Sequence, residues 1–498
     1  MTRTTCLELM RGFRLALAVQ VGLIAFVAIA EPYELGEDRF LFLDESLLDG
    51  VQGAELHVNP PRFDALVLIA DRPWETGGIT SYGNVFWDPI AAEYRLYYVP
   101  VCWEVDPGFG LALATSDDGV HWEKPELSVV EWKGSTANNL VIWAQREGTV
   151  LIDPNAIPER RYAFLSSHPD LKTRLFVSPD GIRFTMDDAL ISDCHSDSQI
   201  ASFWDADASR YFHYPRGSQD GRAVAFVTST RMDEPWPEEL PVVMAHDDQD
   251  PPETDLYTNA CVKYPLARNA YLGFPTPYYH YNAPPERAYL NAPTLAIGGK
   301  TNDGTIETQL ATSRDGAHWI RYRVPYIPLG SYDGLDVKVA MMIPGLLCQQ
   351  DKLYQYFMGY TFTHGDTQVR HGSGGRALGG VFRVEQRTDG FVSLDFDYQG
   401  GSATTGPFIF KGCRLVINLN TSASGEARVA ILDGQGAEFP GFSLAEARYI
   451  NGDYLEAPAT WGDGVCNVGS LAGQPVRLRF ACRGTKLYSF RFVAEISE

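Results

Sequence analysis

The chain has few cysteines, and none of them stands in a spacing that is typical of a metal site. Eight cysteines occur among 498 residues, seven of them after residue 30. Without a CxxC pair or a Cys/His ligand pattern, the sequence predicts no zinc site and no other cofactor. An odd number of cysteines in a chain of this size is not a disulfide framework, although one bond among Cys413, Cys466 and Cys482 stays open.

Basic residues are also scarce, and nucleotide-binding loops are missing. The chain carries 41 basic against 63 acidic residues, a formal charge of -22. Such a charge repels a phosphate backbone, so nucleic acid is excluded as a partner. There is no GxGxxG or GxxxxGKS loop and no GxSxG nucleophile elbow, which excludes the common dinucleotide, P-loop and serine-hydrolase classes.

Only one long apolar run is present, and it lies at the beginning of the chain. Arg11 and Arg14 precede the apolar stretch Leu15 to Ala30, which ends in Ala28-Ile29-Ala30. A basic region, an apolar region and an A-x-A site together predict a secretory signal peptide over residues 1–30. We therefore expect a secreted or periplasmic protein that does not contact a membrane after cleavage. An uncleaved N-terminal anchor is the alternative.

What the sequence does contain is a repeated turn of the form SxDGxx(W/F). It occurs as Ser116–Trp122, Ser178–Phe184 and Ser313–Trp319, each time after a short apolar or alternating run. In such a turn the serine and aspartate bond the local backbone, the glycine accepts a positive φ, and the aromatic residue returns to the sheet. The recurrence indicates a protein built from repeated β-units.

Five units can be placed between Ser81 and Leu394, each with an apolar first strand, a tyrosine-rich second strand and a third strand that ends in a turn. We place the first strand of the second unit at Asn139 to Trp143. Units of about 40 to 50 residues favour a propeller. The prediction is an all-β chain with a five-bladed β-propeller over residues 31–399 and a β-sandwich over residues 400–498. A large β-sandwich or two barrels is the alternative.

Carboxylates stand at the beginning of three of the predicted first strands. In a propeller these positions converge at one end of the central channel, and there we place the candidate catalytic residues Asp197, Asp255 and Asp336. Carboxylates that share one site can act as proton donor and as base or nucleophile in glycoside hydrolysis. The alternative is that these aspartates cap ordinary turns.

Other polar and aromatic residues near the same positions are candidate substrate-binding residues. Arginines bind sugars through bidentate hydrogen bonds, and tryptophans and tyrosines offer an apolar face to a sugar ring. The candidates are Tyr82, Asn84, Gln199, Arg216, Tyr257, Asn259, Trp74 and Arg72. Packing is the alternative role for each of them.

The five units, the SxDGxxW turns, the placement of Asp197 before Phe203-Trp204 and the trailing β-segment resemble the five-bladed propeller glycosidases that include glycoside hydrolase families 32 and 43. The resemblance implies a glycoside hydrolase with a carbohydrate substrate. The invertase-like WMNDPNG, RDP and Glu-Cys segments are absent, and Asp88 of the Asp88-Pro89 pair is not assigned the nucleophile role. A non-catalytic carbohydrate-binding propeller is the alternative function, and a sialidase-like hydrolase is the third.

Overall fold

The structure is a computed structural model that describes residues 31–167, 170–194, 196–251, 254–280, 303–365 and 375–494. The predicted signal peptide, residues 1–30, lies outside them. Across these ranges the chain forms β-strands and three short 3-10 helices but no α-helix, which confirms the all-β prediction. The 3-10 helices are Pro158–Arg160, Gly375–Leu378 and Gly469–Leu471. No helix in the described ranges is long and apolar enough to cross a membrane.

Five sheets follow one another along the chain, and we number them I to V. Sheet I contains Gly78–Asp88, Glu93–Val101, Gly110–Ser116 and Leu140–Trp143. Sheet II contains Val150–Ile152, Tyr162–Ser166, Thr173–Ser178 and Thr185–Ser192. Sheet III contains Ala201–Asp205, Arg210–Tyr214 and Val227–Ser229. Sheet IV contains Val262–Lys263, Tyr271–Gly273, Thr308–Ser313 and Trp319–Ile327.

Sheet V is the largest of the five and recruits a strand from the beginning of the chain. Its strands, in spatial order, are Thr254–Leu256, Pro277–His280, Gly304–Ile306, Val339–Gln349, Lys352–Tyr360, Gly379–Arg387 and Arg62–Ile69. Arg62–Ile69 pairs with Gly379–Arg387 and is the outermost strand on that side of the sheet. Two smaller groups complete this part: Arg216–Ser218, Arg222–Ala225 and Val242–Met244, and the hairpin Gly330–Tyr332 with Leu335–Val337.

Two further sheets, VI and VII, combine both ends of the chain. Sheet VI contains Tyr33–Gly36, Phe408–Phe410, Val476–Arg483, Gly401–Thr405, Leu48–Gln52 and Glu426–Asp433. Sheet VII contains Asp453–Pro458, Arg414–Asn420, Thr485–Val493, Val392–Phe396, Ala54–Val58 and Arg39–Leu41. One core with many aromatic residues, among them Phe42, Phe408 and Phe490, lies between the two sheets. The division at residue 400 stays a prediction, but four strands from residues 33–58 belong to these sheets.

The three SxDG turns have the predicted hydrogen bonds. In the first of them the amides of Asp118 and Gly119 donate to Ser116 Oγ at 3.2 and 2.9 Å. Asp118 Oδ1 accepts from the amide of His121 at 2.8 Å, and Gly119 has a φ of 73°. The turns at Ser178 and Ser313 repeat this pattern.

A tyrosine of a neighbouring sheet bonds the glycine of each turn. Tyr97 of sheet I donates to the carbonyl of Gly181 in sheet II at 2.8 Å, and Tyr214 of sheet III donates to Gly316 in sheet IV at 2.8 Å. Tyr356 of sheet V donates to Gly119 in sheet I, so the last sheet is joined to the first. We call these three bonds the tyrosine latches.

A second repeated contact, which the sequence analysis missed, joins the same sheets at other strand ends. An aspartate at or just after the end of a first strand accepts a hydrogen bond from a tyrosine on the second strand of the following sheet. The pairs are Asp88 with Tyr162, Asp153 with Tyr211 and Asp205 with Tyr271. Asp88 is fully buried in this role, which agrees with withholding a nucleophile assignment from it.

The predicted first strand of the second unit was wrong. Leu140–Trp143 pairs with Gly110–Ser116 and is the fourth strand of sheet I, whereas sheet II begins at Val150. Asn139 fixes this placement because its side-chain amide donates to the carbonyl of Leu113 and to the hydroxyl of Tyr98. The residues that precede the true first strand of sheet II are therefore Arg146 and Glu147 rather than the asparagines.

Candidate active site

Two cavities lie along the first strands of sheets I to V. Toward the ends of these strands an apolar cavity of about 590 Å³ is lined by segments 84–87, 149–152, 202–204, 261–263 and 344–346, one from each sheet. Toward their beginnings lies a smaller cavity of about 180 Å³. Its aromatic walls include Tyr82, Trp103, Phe109, Tyr257, Tyr360 and Phe362, and we call it the aromatic cavity.

Two of the predicted catalytic residues, Asp197 and Asp255, are held by one arginine. The guanidinium of Arg222 donates to Asp197 at 3.0 and 3.3 Å, while its backbone amide donates to Asp255 Oδ1 at 2.7 Å. Asp197 also accepts a hydrogen bond from Arg216, a predicted substrate-binding residue. The two carboxylates thus lie within the length of one arginine side chain. Their shared contact with Arg222 was not predicted from the sequence.

Asp255 is held in its ionised form. Its Oδ2 lies 3.0 Å from Nε2 of His280, on the strand that pairs with its own. Burial acts to raise the pKa of Asp255, but the hydrogen bonds from His280 and from the Arg222 amide outweigh it, so the pKa lies below its ordinary value. A carboxylate of this kind suits a base or nucleophile rather than a proton donor.

Tyr257 connects this group to the aromatic cavity. The guanidinium of Arg222 lies 4.6 Å from the centre of the Tyr257 ring, and the Tyr257 hydroxyl is hydrogen-bonded to His364 Nε2 at 2.9 Å. Both Tyr257 and His364 line the cavity. A ligand in the cavity would therefore lie one side chain away from Arg222 and the two carboxylates.

Tyr82, a predicted substrate-binding residue, lines the aromatic cavity. Burial raises the pKa of Tyr82 well above its ordinary value, and the neighbouring Tyr257 adds to the rise. The hydroxyl of Tyr82 therefore stays protonated at physiological pH, and it can donate a hydrogen bond to a ligand.

The sequence analysis missed Arg146 and Glu147, which precede the first strand of sheet II. Arg146 lines the aromatic cavity, and its Nε donates to the carboxylate of Glu147 behind it. Burial raises the pKa of Glu147 to about 7, against the opposing effects of Arg146 and Ser167. The pair would have been found if Leu140–Trp143 had been assigned to sheet I.

Asp336, the third predicted catalytic residue, lies elsewhere. It is exposed on the hairpin Gly330–Tyr332 and Leu335–Val337, opposite Ser331. The strand of sheet V that lines the apolar cavity, Val339–Gln349, begins only after this hairpin. Among the described residues Arg222 contacts Asp197 and Asp255 but not Asp336. The position of Asp336 follows from the Asp333-Gly334 turn, which connects the two strands of this hairpin ahead of Val339–Gln349.

Gln199 and Asn259, both predicted to bind substrate, are buried and bonded to the backbone. Gln199 donates to the carbonyls of Ser81 and Met342 at 3.1 and 3.3 Å and accepts from the amide of Ala260 at 2.7 Å. Asn259 donates to the carbonyl of Tyr214 at 3.0 Å. Their amides fasten the first strands of several sheets to one another and support the site from beneath.

Three further candidates also have structural contacts. Asn84 makes two 2.8 Å hydrogen bonds with the backbone of Val150 and so joins sheets I and II. Trp74 is buried and donates to Asn139 at 3.0 Å. Arg72 is largely exposed beside Asp71, outside the aromatic cavity.

Within the described ranges no group of three or more histidine, cysteine or acidic side chains could hold a metal ion. Cys413, Cys466 and Cys482, the trio for which one disulfide had stayed open, are free.

No protein-family model matches the chain, and no curated protein matches its sequence. Solved structures do match. The Bombyx mori GH32 beta-fructofuranosidase is 9% identical, with a TM-score of 0.39 over 88% of this chain and 94% of that one. The catalytic domain of the Coprinopsis cinerea GH62 alpha-L-arabinofuranosidase is 9% identical, with a TM-score of 0.41 over 66% and 97%.

An N-acetylgalactosamine deacetylase from F. plautii, solved with blood group B trisaccharide, is 13% identical, with a TM-score of 0.41 over 68% of this chain and 96% of that one. Glycoside hydrolases are thus among the solved structures to which this chain is similar, and they are the class to which the sequence resemblance pointed.

Proposed function

We propose that sheets I to V are the five blades of a β-propeller and that sheets VI and VII form a β-sandwich. The tyrosine latches support the first part, since they join sheet I to II, sheet III to IV and sheet V back to I. The apolar cavity supports it too, because all five first strands line it. The core between sheets VI and VII supports the second part.

At the end of the channel that holds the aromatic cavity, the protein hydrolyses a glycosidic bond of a polysaccharide or oligosaccharide. The observation that carries this proposal is the meeting of Asp197 and Asp255 at Arg222, beside a cavity with aromatic walls. Glycosidases use two carboxyl groups on either side of the bond that breaks. Aromatic walls suit a sugar ring, whose C–H faces pack on them.

The two carboxylates have different partners and so suit different roles. Asp255, which His280 and the Arg222 amide keep ionised, is the base or nucleophile. Asp197 is bound by the guanidinium groups of Arg216 and Arg222. Either guanidinium favours the ionised carboxylate, so Asp197 becomes the proton donor once the substrate has displaced both arginines. It then takes a proton from solvent and delivers it to the leaving group.

An activity screen of the purified protein on polysaccharides and aryl glycosides, with Asp197→Asn and Asp255→Asn, tests the proposal. Loss of a general acid or base lowers the rate by about 100-fold or more, and we expect this from each substitution. Asp463→Asn, which changes an exposed carboxylate in the C-terminal region, is the matched control and keeps full activity. Activity that survives both active-site substitutions would contradict the assignment.

A non-catalytic carbohydrate-binding protein is the second candidate. The observation that favours it is that arginines or a histidine already engage both carboxylates. In that case the wild-type protein binds a glycan, measured by calorimetry, and releases no reducing ends from it during prolonged incubation.

Export to the periplasm or the medium is part of the proposed function, since a polysaccharide is met outside the cytoplasm. The support is the sequence of residues 1–30 alone. N-terminal sequencing of the protein purified from its native host would then begin at Glu31. A mature protein that begins at Met1 or Thr2 would contradict cleavage.

A further inference from the structure

The aromatic cavity differs in charge from the rest of the molecule. Acidic residues outnumber basic ones by 63 to 41 over the chain. Among the described residues that line the cavity there is no carboxylate, while Arg146 and His364 both lie there. The described lining of this cavity thus carries the charge of Arg146 in a protein that is acidic as a whole.

Arg146 is held in one orientation. Its guanidinium carbon lies 4.2 Å from the centre of the Phe109 ring, and its Nε is bonded to the buried carboxylate of Glu147. Ser166 fixes the backbone on both sides, since its hydroxyl donates to the Arg146 carbonyl at 2.6 Å and accepts from the Arg146 amide at 3.1 Å. A guanidinium positioned in advance loses little conformational entropy when it binds a ligand.

The terminal nitrogens of Arg146 are the part of this side chain that a ligand can use. Among the described residues no hydrogen bond occupies them. The Tyr82 hydroxyl lines the same cavity and stays protonated, because burial and Tyr257 raise its pKa against the opposing effect of Arg146. Two kinds of donor therefore converge: a planar cationic fork and a neutral hydroxyl, the combination that suits an anionic oxygen group next to a sugar hydroxyl.

The charge behind Arg146 is weakened as well. Glu147 is fully buried, and burial raises its pKa to about 7, so near neutral pH a part of the molecules carry no negative charge there. Arg222 adds a second cation on the far side of Tyr257, where Asp197 compensates it.

We propose that the aromatic cavity binds an anionic sugar ring, a uronic acid or a sugar sulfate, whose charged substituent pairs with the terminal nitrogens of Arg146. This inference rests on the proposed function, because it names the substrate class for the same site. The cavity volume of about 180 Å³ fits one ring, since pockets for larger ligands occupy roughly 300 to 1,000 Å³. Arg146 is thus the residue that selects the substrate.

Calorimetric titration of the full-length protein with galacturonic acid, galactose 6-sulfate and galactose tests the inference. We expect at least one of the two anionic sugars to bind about 10-fold or more tightly than galactose. The stronger of the two identifies the charged group as carboxylate or sulfate. Equal binding of galactose, or no binding of any of the three at millimolar concentration, overturns the inference.

Arg146→Gln removes the cation, and we expect it to weaken binding of the anionic sugar by about 10- to 100-fold without changing galactose binding. Arg231→Gln, which changes an exposed arginine paired with Asp233 outside the cavity, is the matched control and keeps the preference. A preference that persists in Arg146→Gln overturns the assignment.

Should Arg146→Gln fail to fold, as shown by its circular dichroism, Tyr82→Phe takes its place. This substitution removes one hydroxyl donor from the cavity, and we expect it to weaken binding of the anionic sugar by about 5- to 10-fold. Unchanged binding overturns the inference. Binding that depends on Arg146 without cleavage of any glycan refutes only the hydrolysis. Cleavage of neutral glycans without an anionic preference refutes only this inference.

Discussion

Glu147 is an acidic residue at a buried position, where ionisation of its carboxyl group costs free energy. It is fully buried, with Arg146 on one oxygen and the hydroxyl of Ser167 3.2 Å from the other. Burial raises its pKa from an ordinary 4.5 to about 7, because these partners do not replace the lost hydration. The folded state therefore binds a proton more tightly than the unfolded chain does.

This difference predicts how stability depends on pH. The protonated Glu147 contributes stability that is fully present below pH 4.5 and is lost as the pH rises through about 7, a change on the order of 3 kcal/mol. Glu147→Gln does not titrate. The unfolding free energy of wild type relative to that of Glu147→Gln, measured by urea unfolding, should therefore fall by about 3 kcal/mol between pH 4.5 and pH 8. A difference that stays constant over this range would contradict the burial argument.

At the residue scale, the sequence identified the acidic residues of the site but not their partners. Asp197 and Asp255 could be predicted because they stand before apolar strands. Arg222 could not, because its position depends on the pairing of Arg222–Ala225 with Arg216–Ser218, which the local sequence pattern does not encode. Gln199 shows a second limit: an amide that bonds three backbone groups has the same sequence signal as one that faces a ligand.

Among the elements, the tyrosine latches explain why the SxDG turn recurs. The glycine has a positive φ and no side chain, so a tyrosine of the next sheet can approach its carbonyl. A Cβ at Gly316 would lie 2.7 Å from the hydroxyl of Tyr214, and one at Gly119 would lie 2.8 Å from that of Tyr356. The turn is thus a joint between sheets as well as the end of a hairpin.

Tyr214→Phe tests a latch. The hydroxyl is buried, and its removal leaves the carbonyl of Gly316 without a partner, so we expect a loss of about 1 to 3 kcal/mol in unfolding free energy. Tyr398→Phe, at an exposed tyrosine bonded only to Ser424 among the described residues, should cost less than about 0.5 kcal/mol. Equal losses in chemical denaturation would show that the latch contributes nothing.

Gly316→Ala tests the same latch at the glycine whose carbonyl accepts the tyrosine hydrogen bond. The glycine has a φ of 77°, and a methyl group would also come within 2.7 Å of Phe212. We expect a loss of at least about 1 kcal/mol, from the strained backbone and the close contact together. Gly436→Ala, which has a φ of 92° but nothing within 4 Å, isolates the backbone part in the same thermal melts. Equal melting temperatures for the two variants would contradict the crowding.

Strands with a strong apolar pattern could be predicted from the sequence. The sheet to which each strand belongs could not always be predicted. The run Leu140–Trp143 is apolar enough to open a sheet, yet it closes sheet I because Asn139 bonds across to Leu113 and Tyr98. Local apolar pattern does not encode which neighbour a strand pairs with. That choice depends on contacts between residues far apart in the sequence.

At the scale of the whole molecule, the main feature is that strands from both ends of the chain form sheets VI and VII together. Residues 33–58 supply two strands to sheet VI and two to sheet VII, and Leu35, Phe40 and Phe42 lie in the core between them. The sequence could not reveal this, because strands whose paired residues lie 334 to 452 positions apart leave no local signal. The predicted sandwich after residue 400 lacks these strands.

A chain that ends at residue 399 therefore retains four strands without most of their partners. We expect a protein of residues 31–399 to aggregate or to melt well below the full chain, since its N-terminal apolar residues lose their core. A protein of residues 59–391 omits the orphaned strands and should remain more soluble. Gel filtration and thermal melts of both, beside the full chain, measure this. A monomeric, stable 31–399 protein would restore the boundary at residue 400.

The pairing of the two chain ends also determines how the protein responds to mechanical force. Arg39 lies opposite Arg491 and Leu41 opposite Ser489, so the chain leaves both strands at the same end of the pair. Tension between the termini would load these hydrogen bonds one after another rather than together. Sheets VI and VII would open at low force, while the sheets that carry the aromatic cavity bear no tension until these two sheets have been pulled apart.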